Sequence, residues 1–513
     1  MSTATVAKVQ RISARQMLEE VLDAQSFTSW DEPADYSFAG PDYRQQLEQA
    51  AVRSGADEAV ITGVGQINGR DVAVVLSEFD FLAGSIGRAT AARIVAAFER
   101  ATELGLPVLA SPASGGTRMQ EGTPAFVSMV HITAAVKAHT EASLPYLVYL
   151  RHPTTGGVMA SWGSLGHITI AQPGALLGFL GPRVYETIYR QPFPDGVQVS
   201  ENLKNHGIID AVVPLSELAG IVSRALDILS PAEVAAGPSH TPQATERVLT
   251  EEQVWAAVSA TRLPRRPSVR HIIKYATSDF LQLSGTSEGA SDPRMYLALA
   301  RFGGQPAVVV GQDRALAAGT GSEEPMGPAF LREARRGAQL AQNLGIALIT
   351  VIDTEGAALS VEAEEGGMAG QIARSLDTLI TLRVPSVSVL LGQGTGGGAL
   401  ALLPANISIA AASSWLSPLP PEGASAIMFR DTEHAAALAY SQRTDAFSLR
   451  RAGIVQVIVP EEYDVSTAPR RFSQEMGQAI SDALHQLAQV DPGTLRGDRA
   501  AKYASITPGG APN

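Results

Sequence analysis

The chain has 513 residues, a formal net charge of −12 and no cysteine. This length is too great for one hydrophobic core and fits two domains of about 200 residues with connecting segments. The missing cysteine excludes disulfides, thiolate zinc sites and cysteine nucleophiles. The acidic balance, without a tract of Lys and Arg, argues against nucleic acid, and no apolar run reaches the roughly 18 residues of a membrane span. The first 15 residues lack the apolar core of a secretory signal, so a cytoplasmic location is expected.

In chain order, the first half alternates between predicted strands and predicted helices. Short apolar runs predict strands, and alanine-rich segments with apolar faces predict helices. The predicted strands cover residues 72–76, 107–110 and 146–150, and the predicted helices cover 14–24, 89–104 and 124–142. Glycine turns follow the second and third strands, at 114–116 and 155–157. Strand-turn-helix units in series predict an α/β fold with a parallel sheet covered by helices.

The second half repeats the first at an offset of about 240 residues, far longer than a solenoid period. The repeat therefore predicts two duplicated domains. The matching segments are INGRDVAVV (67–75) with FGGQPAVVV (302–310), LPVLASPASGG (106–116) with IALITVIDTEG (346–356), LPYLVYLRHPTTGG (144–157) with VPSVSVLLGQGTGG (384–397), and HGIIDAVVP (206–214) with AGIVQVIVP (452–460).

The segment between the repeats has the composition of a linker. Residues 230–242 are rich in Pro, Ser and Ala, and a short helix is expected at 251–260. We therefore predict a first domain over 1–235, a linker over 236–267 and a second domain over 268–513.

Each domain carries two glycine turns, and backbone N–H groups at such turns can hold an oxyanion. Glycine lets a ligand approach the backbone closely, and a helix that follows the turn adds partial positive charge. One such turn alone is more often a tight strand-helix connection. The recurrence of two turns at the same places in both domains favours a functional role.

Three other patterns carry less weight. GQGTGG (392–397) fits a dinucleotide fingerprint but lacks the acidic residue expected about 20 positions later. GTSEG (285–289) has no strand-turn-helix context and is predicted to be a loop. The nine histidines form no cluster with metal-ligand spacing. Arg118 and Arg183 are candidates to meet a phosphate or carboxylate.

The chain resembles the carboxyltransferase of bacterial acetyl-CoA carboxylase, with its two subunits fused. The first half resembles the β subunit and the second half the α subunit. The first-half motifs are EFDFLAGSIG (78–87), ASGGTRMQE (113–121), LPY (144–146), PTTGGV (153–158), GFLGPRV (178–184) and GIID (207–210). The second-half motifs are ARF (300–302), IDT (352–354), AEE (363–365), QIAR (371–374), GGGALA (396–401) and PEGAS (421–425).

This resemblance implies two tandem crotonase-like domains, each a superhelix of ββα turns. It implies transfer of CO2 from carboxybiotin to the α-carbon of a short acyl-CoA, with acetyl-CoA giving malonyl-CoA for fatty acid biosynthesis. One oxyanion hole then holds the thioester enolate, and the other holds the ureido oxygen of biotin. The candidate residues of the first hole are Gly115, Gly116, Gly156 and Gly157, and those of the second are Gly356, Ala357, Gly397 and Gly398. Which member of each pair donates is left open by one residue.

The resemblance also implies partners. No biotin acceptor sequence and no ATP-binding carboxylase pattern occurs in the chain, so a biotin carboxylase and biotin carrier protein are expected on another chain. A homodimer or larger assembly is expected, and no zinc, because the four-cysteine ribbon typical of the β subunit is absent. Two alternatives stay open: a malonate-decarboxylase-type enzyme, and a weakly active paralogue that acts as an assembly partner. The altered turn at 355–360 favours the second alternative.

Overall fold

The computed structural model describes residues 9–230, 243–313 and 325–506. Within these residues the chain divides into two compact units. Unit 1 runs to Asp227 and includes Ser287–Gly289, and unit 2 holds Ile228–Thr286 and the chain from Ala290 onward. Part of the predicted linker, 231–242, lies outside the described residues. The described part from 243 onward belongs to unit 2 and contains the short helix predicted at 251–260.

Unit 1 is a mixed sheet covered by helices. Its sheet has the order β1-β2-β3-β4-β5-β7-β9, in which β1, β2 and β3 pair antiparallel and all later pairs are parallel. A second, small sheet pairs β6 with β8. The strands are β1 (Thr28–Ser29), β2 (Val60–Ile67), β3 (Arg70–Ser77), β4 (Val108–Ser111), β5 (Tyr146–Leu150), β6 (Thr154–Thr155), β7 (Ile168–Ala171), β8 (Leu177–Gly178) and β9 (Ala211–Val212).

The helices of unit 1 pack on this sheet and confirm the main sequence predictions. They are α1 (Ala14–Val21), α2 (Pro41–Ser54), α3 (Arg88–Glu103), α4 (Gly122–Glu141), α5 (Pro182–Tyr189), α6 (Ser200–Asn205) and α7 (Leu215–Leu229). The apolar faces of α3 and α4 bury Ile94, Phe98 and Ile132 against strand residues such as Val75 and Val148. The segment after Gly157 forms only short 3-10 turns.

Unit 2 repeats the architecture of unit 1. Its sheet has the order β10-β11-β12-β13-β14-β15-β17, with β16 paired to β14; β10, β11 and β12 are antiparallel and the remaining pairs are parallel. The strands are β10 (Phe280–Leu283), β11 (Met295–Phe302), β12 (Gln305–Gln312), β13 (Ala347–Thr354), β14 (Ser386–Thr395), β15 (Ile407–Ala411), β16 (Trp415–Ser417) and β17 (Val457–Val459).

The described helices of unit 2 surround this sheet. They are α8 (Glu251–Thr261), α9 (Val269–Ala276), α10 (Pro328–Leu344), α11 (Val361–Glu365), α12 (Met368–Thr381), α13 (Gly396–Leu400), α14 (Pro421–Phe429), α15 (Ala435–Ser441), α16 (Ala446–Arg451), α17 (Pro469–Leu487) and α18 (Leu495–Ala504). The long helix α17 buries Phe472, Met476 and Ile480 in the core. The antiparallel hairpin followed by parallel strands in both units confirms the repeat read from the sequence.

Candidate active site

In unit 1 the two glycine turns lie side by side beyond the ends of β4 and β5. Gly116 has φ +110°, and Gly156 has φ +69°, both in the region that favours glycine. A Cβ atom on Gly156 would lie 3.1 Å from the Cα of Gly116, and one on Gly116 would lie 3.5 Å from the Cα of Gly156. The close backbone approach therefore depends on both residues lacking a side chain.

Several of the predicted donors in unit 1 already donate inside the fold. Their N–H groups are taken by acceptors that come from segments outside the turns or from the turn itself. Gly115 N–H donates to Ala83 O at 2.9 Å, Gly116 N–H to Ser114 Oγ at 3.0 Å, and Gly156 N–H to Phe179 O at 2.9 Å. The N–H groups of these three residues thus hold the turns in shape.

The N–H groups of Gly157 and Thr117 remain available in unit 1. Gly157 is the second residue of a 3-10 turn, where an N–H has no partner within the turn. Thr117 is flanked by backbone hydrogen bonds that join Gly116 and Arg118 to Ile86 and leave its own N–H unused among the described residues. A Cβ on Gly116 would lie 3.7 Å from the N of Gly157, so the two turns converge here.

Unit 2 builds the same pair of turns. Gly356 has φ +128°, and its N–H donates to Thr354 Oγ1 at 3.1 Å, just as Gly116 donates to Ser114. Ala357 pairs with Met326 as Thr117 pairs with Ile86, and its N–H has no partner among the described residues.

The second turn of unit 2 supplies N–H groups at a helix start. Gly397 and Gly398 lie in the first turn of α13, where N–H groups have no intrahelical partner. A Cβ on Gly398 would lie 3.5 Å from the N of Ala357, so these donors also converge. Among the described residues of unit 2, the N–H groups of three of the four predicted residues, Ala357, Gly397 and Gly398, therefore have no partner.

Arg118 is placed under the first turn of unit 1 and has no exposed surface. Its guanidinium meets two carboxylates of the chain itself, those of Glu58 and Glu121, and donates to Ser85 O at 2.9 Å. Burial disfavours the charge, but the hydrogen bonds to Glu58 outweigh it and raise the pKa of Arg118. Arg118 therefore exposes no surface to a ligand phosphate. Its hydrogen bonds and ion pairs support the turn from below.

Two tyrosines complete this buried network. Tyr36 donates to Glu58, and Tyr43 donates to Glu121 Oε1 at 2.5 Å. Burial, and the charge of Glu58, raise the pKa of Tyr36, so it stays a donor at physiological pH. The network fixes the segment that carries Thr117.

Arg183, the second predicted phosphate contact, lies in α5, and its side chain is outside the described residues.

Across 9–230, 243–313 and 325–506, no group of three His, Asp or Glu side chains could hold a metal ion. None of the helices in this part of the chain combines the length and apolarity needed to cross a membrane.

Sequence reasoning did not single out the N–H of Thr117, and it did not show that the N–H groups of Gly115, Gly116 and Gly156 already donate within the fold. The competing acceptors, Ala83 O and Phe179 O, lie more than 20 residues away along the chain. No local pattern carries that information. The repeat itself holds a partial signal, because it aligns Thr117 with Ala357, which was already a candidate.

The repeated sheet with its paired turns defines the class: a tandem crotonase-like α/β protein. The solved structure of transcarboxylase 12S with hydrolyzed methylmalonyl-coenzyme A bound has the same fold, with a TM-score of 0.73 and 20% identity over 94% of this chain and 90% of that chain.

The sequence comparisons agree with this class. The carboxyl transferase domain model matches residues 10–496. The probable biotin-dependent acyl-coenzyme A carboxylase beta3 subunit of Mycobacterium tuberculosis is 53% identical over 97% of this chain and 99% of that protein. The acetyl-coenzyme A carboxylase carboxyl transferase subunits beta/alpha of a Parafrankia species are 34% identical over 96% of this chain and 86% of that protein. The chain belongs to the biotin-dependent acyl-CoA carboxyltransferase family.

Proposed function

We propose that this chain moves CO2 from carboxybiotin on a carrier protein to the α-carbon of a short acyl-CoA, with acetyl-CoA and its product malonyl-CoA as the first candidates. The observation that carries the proposal is the pair of converging turns with unused N–H groups in each unit. Two such donor sets match a reaction in which two carbonyl-type oxygens gain negative charge.

In unit 1 the proposed donors are the N–H groups of Thr117 and Gly157. Removing the α-proton of an acyl-CoA puts negative charge on the thioester oxygen, and fixed donors stabilise that charge without reorganising during the reaction. The absence of a side chain at Gly157 leaves room for the thioester. The enolate carbon then forms the new C–C bond to CO2.

In unit 2 the proposed donors are the N–H groups of Ala357, Gly397 and Gly398. They fit a ureido oxygen, because N–H groups at a helix start favour an oxygen that carries negative charge. When bound, carboxybiotin would supply CO2 and a ureido nitrogen that can take the α-proton of the acyl-CoA. The N–H groups of these residues would hold the ureido oxygen as negative charge develops on it.

The assignment of the acyl-CoA to unit 1 and of biotin to unit 2 rests on the motifs of the two halves. In this proposal the acyl-CoA domain covers residues 1–235 and the biotin domain covers residues 268–513. The retained hydrogen bond from Gly356 to Thr354 supports an active unit 2 despite its altered sequence at 355–360. That observation favours catalysis over an assembly-partner role.

We further propose a biotin carboxylase and biotin carrier protein as partners, a cytoplasmic location and a homodimer or larger assembly. Each unit has large apolar side chains exposed beside its turns. They are Met119, Phe126 and Val130 in unit 1 and Leu359, Ile427 and Met428 in unit 2. Exposed apolar patches of this kind mark interaction surfaces. Light scattering at micromolar concentration is expected to show at least a dimer, and an active monomer would contradict this.

The reverse reaction tests the function without a partner chain. The purified full-length chain, given malonyl-CoA or methylmalonyl-CoA and free biotin, is expected to release CO2 at a rate that depends on biotin. Decarboxylation that is independent of biotin would favour the malonate-decarboxylase alternative. No turnover with any short carboxyacyl-CoA, in a sample shown to be folded by circular dichroism, would favour the assembly partner.

A further inference from the structure

The first glycine turns of units 1 and 2 carry different side chains at one matched position. Thr117 in unit 1 and Ala357 in unit 2 occupy this position: each follows a glycine whose N–H donates to a hydroxyl, and each pairs with a residue just before a helix, α3 in unit 1 and α10 in unit 2. The backbone is therefore matched, and unit 1 adds a hydroxyl that unit 2 lacks.

Other hydroxyls around the turns of unit 1 have partners inside the fold. Ser114 Oγ accepts from Gly116 N–H, Thr154 Oγ1 donates to Arg151 O at 2.8 Å, and Ser161 Oγ donates to Gly157 O at 2.6 Å. These bonds explain why Ser or Thr stands at those positions.

The hydroxyl of Thr117 has no hydrogen-bond partner among the described residues. Its side chain is half-buried, and its Oγ1 lies 3.4 Å from the place that a Cβ on Gly157 would take. The hydroxyl therefore lies beside Gly157, on the side that a side chain there would cover. An acceptor oxygen bound on this side of Gly157 would lie near the hydroxyl.

We propose that the Thr117 hydroxyl is a third donor to the thioester oxygen in unit 1, an inference that rests on the proposed function. Its O–H donates to the oxygen as negative charge develops there, and hydrogen bonds to a charged acceptor are about twice as strong as neutral ones. The acyl-CoA side then has a side-chain donor in addition to its backbone donors, at a position where unit 2 has the methyl group of Ala357. Thr117 is thus a catalytic residue specific to unit 1.

The test compares Thr117→Val, which keeps the shape and removes the hydroxyl, with Thr117→Ser, which keeps the hydroxyl. The assay is biotin-dependent decarboxylation of malonyl-CoA or methylmalonyl-CoA by the full chain. Thr117→Val is expected to lower kcat and kcat/KM for the carboxyacyl-CoA by the same factor of about 10 to 100, as for a bond made in the transition state. KM for biotin is expected to stay unchanged, and Thr117→Ser to stay within about threefold of wild type.

Thr133→Val is the matched control. Thr133 is a half-buried threonine on α4, and its hydroxyl donates to Met129 O of the same helix. This variant is expected to keep the wild-type rate. A wild-type rate in Thr117→Val would overturn the inference, and so would a loss that Thr117→Ser does not restore. Failure of the wild type itself with every carboxyacyl-CoA would instead reject the proposed function.

Discussion

Units 1 and 2 build the same pair of turns but support them differently. In unit 1 the residue after Thr117 is Arg118, which reaches down to Glu58 and Glu121 in the interior. In unit 2 the residue after Ala357 is Ala358, which has no such reach. The same turn backbone thus forms in both units although different side chains support it.

Unit 2 uses a carboxylate on the strand in place of the arginine. Asp353 is buried at the end of β13, and its Oδ1 accepts the N–H of Gln393 on β14 at 2.9 Å. A Cβ on Gly392 would lie 2.4 Å from that same oxygen, so the glycine makes room for the carboxylate. A buried network of charges in unit 1 and a carboxylate that joins two strands in unit 2 thus support the same backbone geometry.

The largest expected effect in this comparison is the loss of Arg118. Arg118→Met leaves two buried carboxylates without their cation, which costs about 3–5 kcal/mol of folding free energy. Asp353→Ala in unit 2 removes one acceptor and is expected to cost about 1–3 kcal/mol. Urea unfolding monitored by circular dichroism measures both. Asp353→Asn keeps an acceptor oxygen and serves as the control, and an equal loss in Arg118→Met and Asp353→Ala would break the contrast.

The second effect concerns the donors themselves. Gly157→Val places a side chain where the thioester is proposed to lie, and it is expected to cost about 2.7–4 kcal/mol of transition-state stabilisation in acyl-CoA turnover. A Cβ there would lie at ordinary contact distance, 3.4 Å from Thr117 Oγ1 and 3.7 Å from Met129. Gly115→Ala is the matched contrast, because that N–H already donates to Ala83 O. Steady-state kinetics with thermal melting separate a lost donor from a lost fold.

The corresponding change in unit 2 needs a partner substitution. A Cβ on Gly397 would lie 2.6 Å from Ile372 Cδ1, so Gly397→Val is combined with Ile372→Ala, and Ile372→Ala alone is the control. We expect the double variant to lose turnover through the biotin side. Unchanged rates in both the Gly157 and Gly397 variants, with wild-type melting temperatures, would show that the donors lie elsewhere.

Acid is expected to weaken unit 1 through two buried histidines. Burial lowers the pKa of His139 to about 4 and that of His167 to about 3. Below pH 6.5 the unfolded chain binds protons that the folded chain does not, so stability falls as the pH drops from 6.5 toward 4. The slope is about 1.4 kcal/mol per pH unit for each histidine. Denaturation midpoints at pH 7.0, 6.0 and 5.0 measure it, and a flat profile would contradict it.

The smallest expected effect is a change in the free energy of unfolding above neutral pH, caused by a lysine of unit 2. Lys502 on α18 donates to Ser408 Oγ at 2.7 Å and Ala405 O at 3.3 Å, and burial lowers its pKa to about 7. Between pH 7 and about 10 the unfolded chain holds a proton that the folded chain has released, so stability rises with pH. We expect a gain of about 1 kcal/mol per pH unit or less. Lys502→Met is expected to remove the rise, and an unchanged profile in this variant would assign it to another group.

The duplication, the α/β class, the main strands and helices, and the positions of all four glycine turns could be predicted from the sequence. It could do so because hydrophobic period and glycine act locally: a buried strand, a helix face and a turn with positive φ each need particular residues within a few positions. The turns at Gly116 and Gly356, 240 residues apart, were recognisable for this reason.

Which N–H groups have no partner, and which groups each charged side chain contacts, could not be predicted from the sequence and follow from the folded structure. Gly115 and Gly156 lose their donors to Ala83 O and Phe179 O, and Arg118 meets Glu58, which is 60 residues away along the chain. A donor or a charged group bonds to whichever partner lies closest in the folded chain. Folding brings partners together that are far apart in the sequence. Long-range contacts therefore decide which N–H groups of the site are available, whereas the local sequence decides where the site lies along the chain.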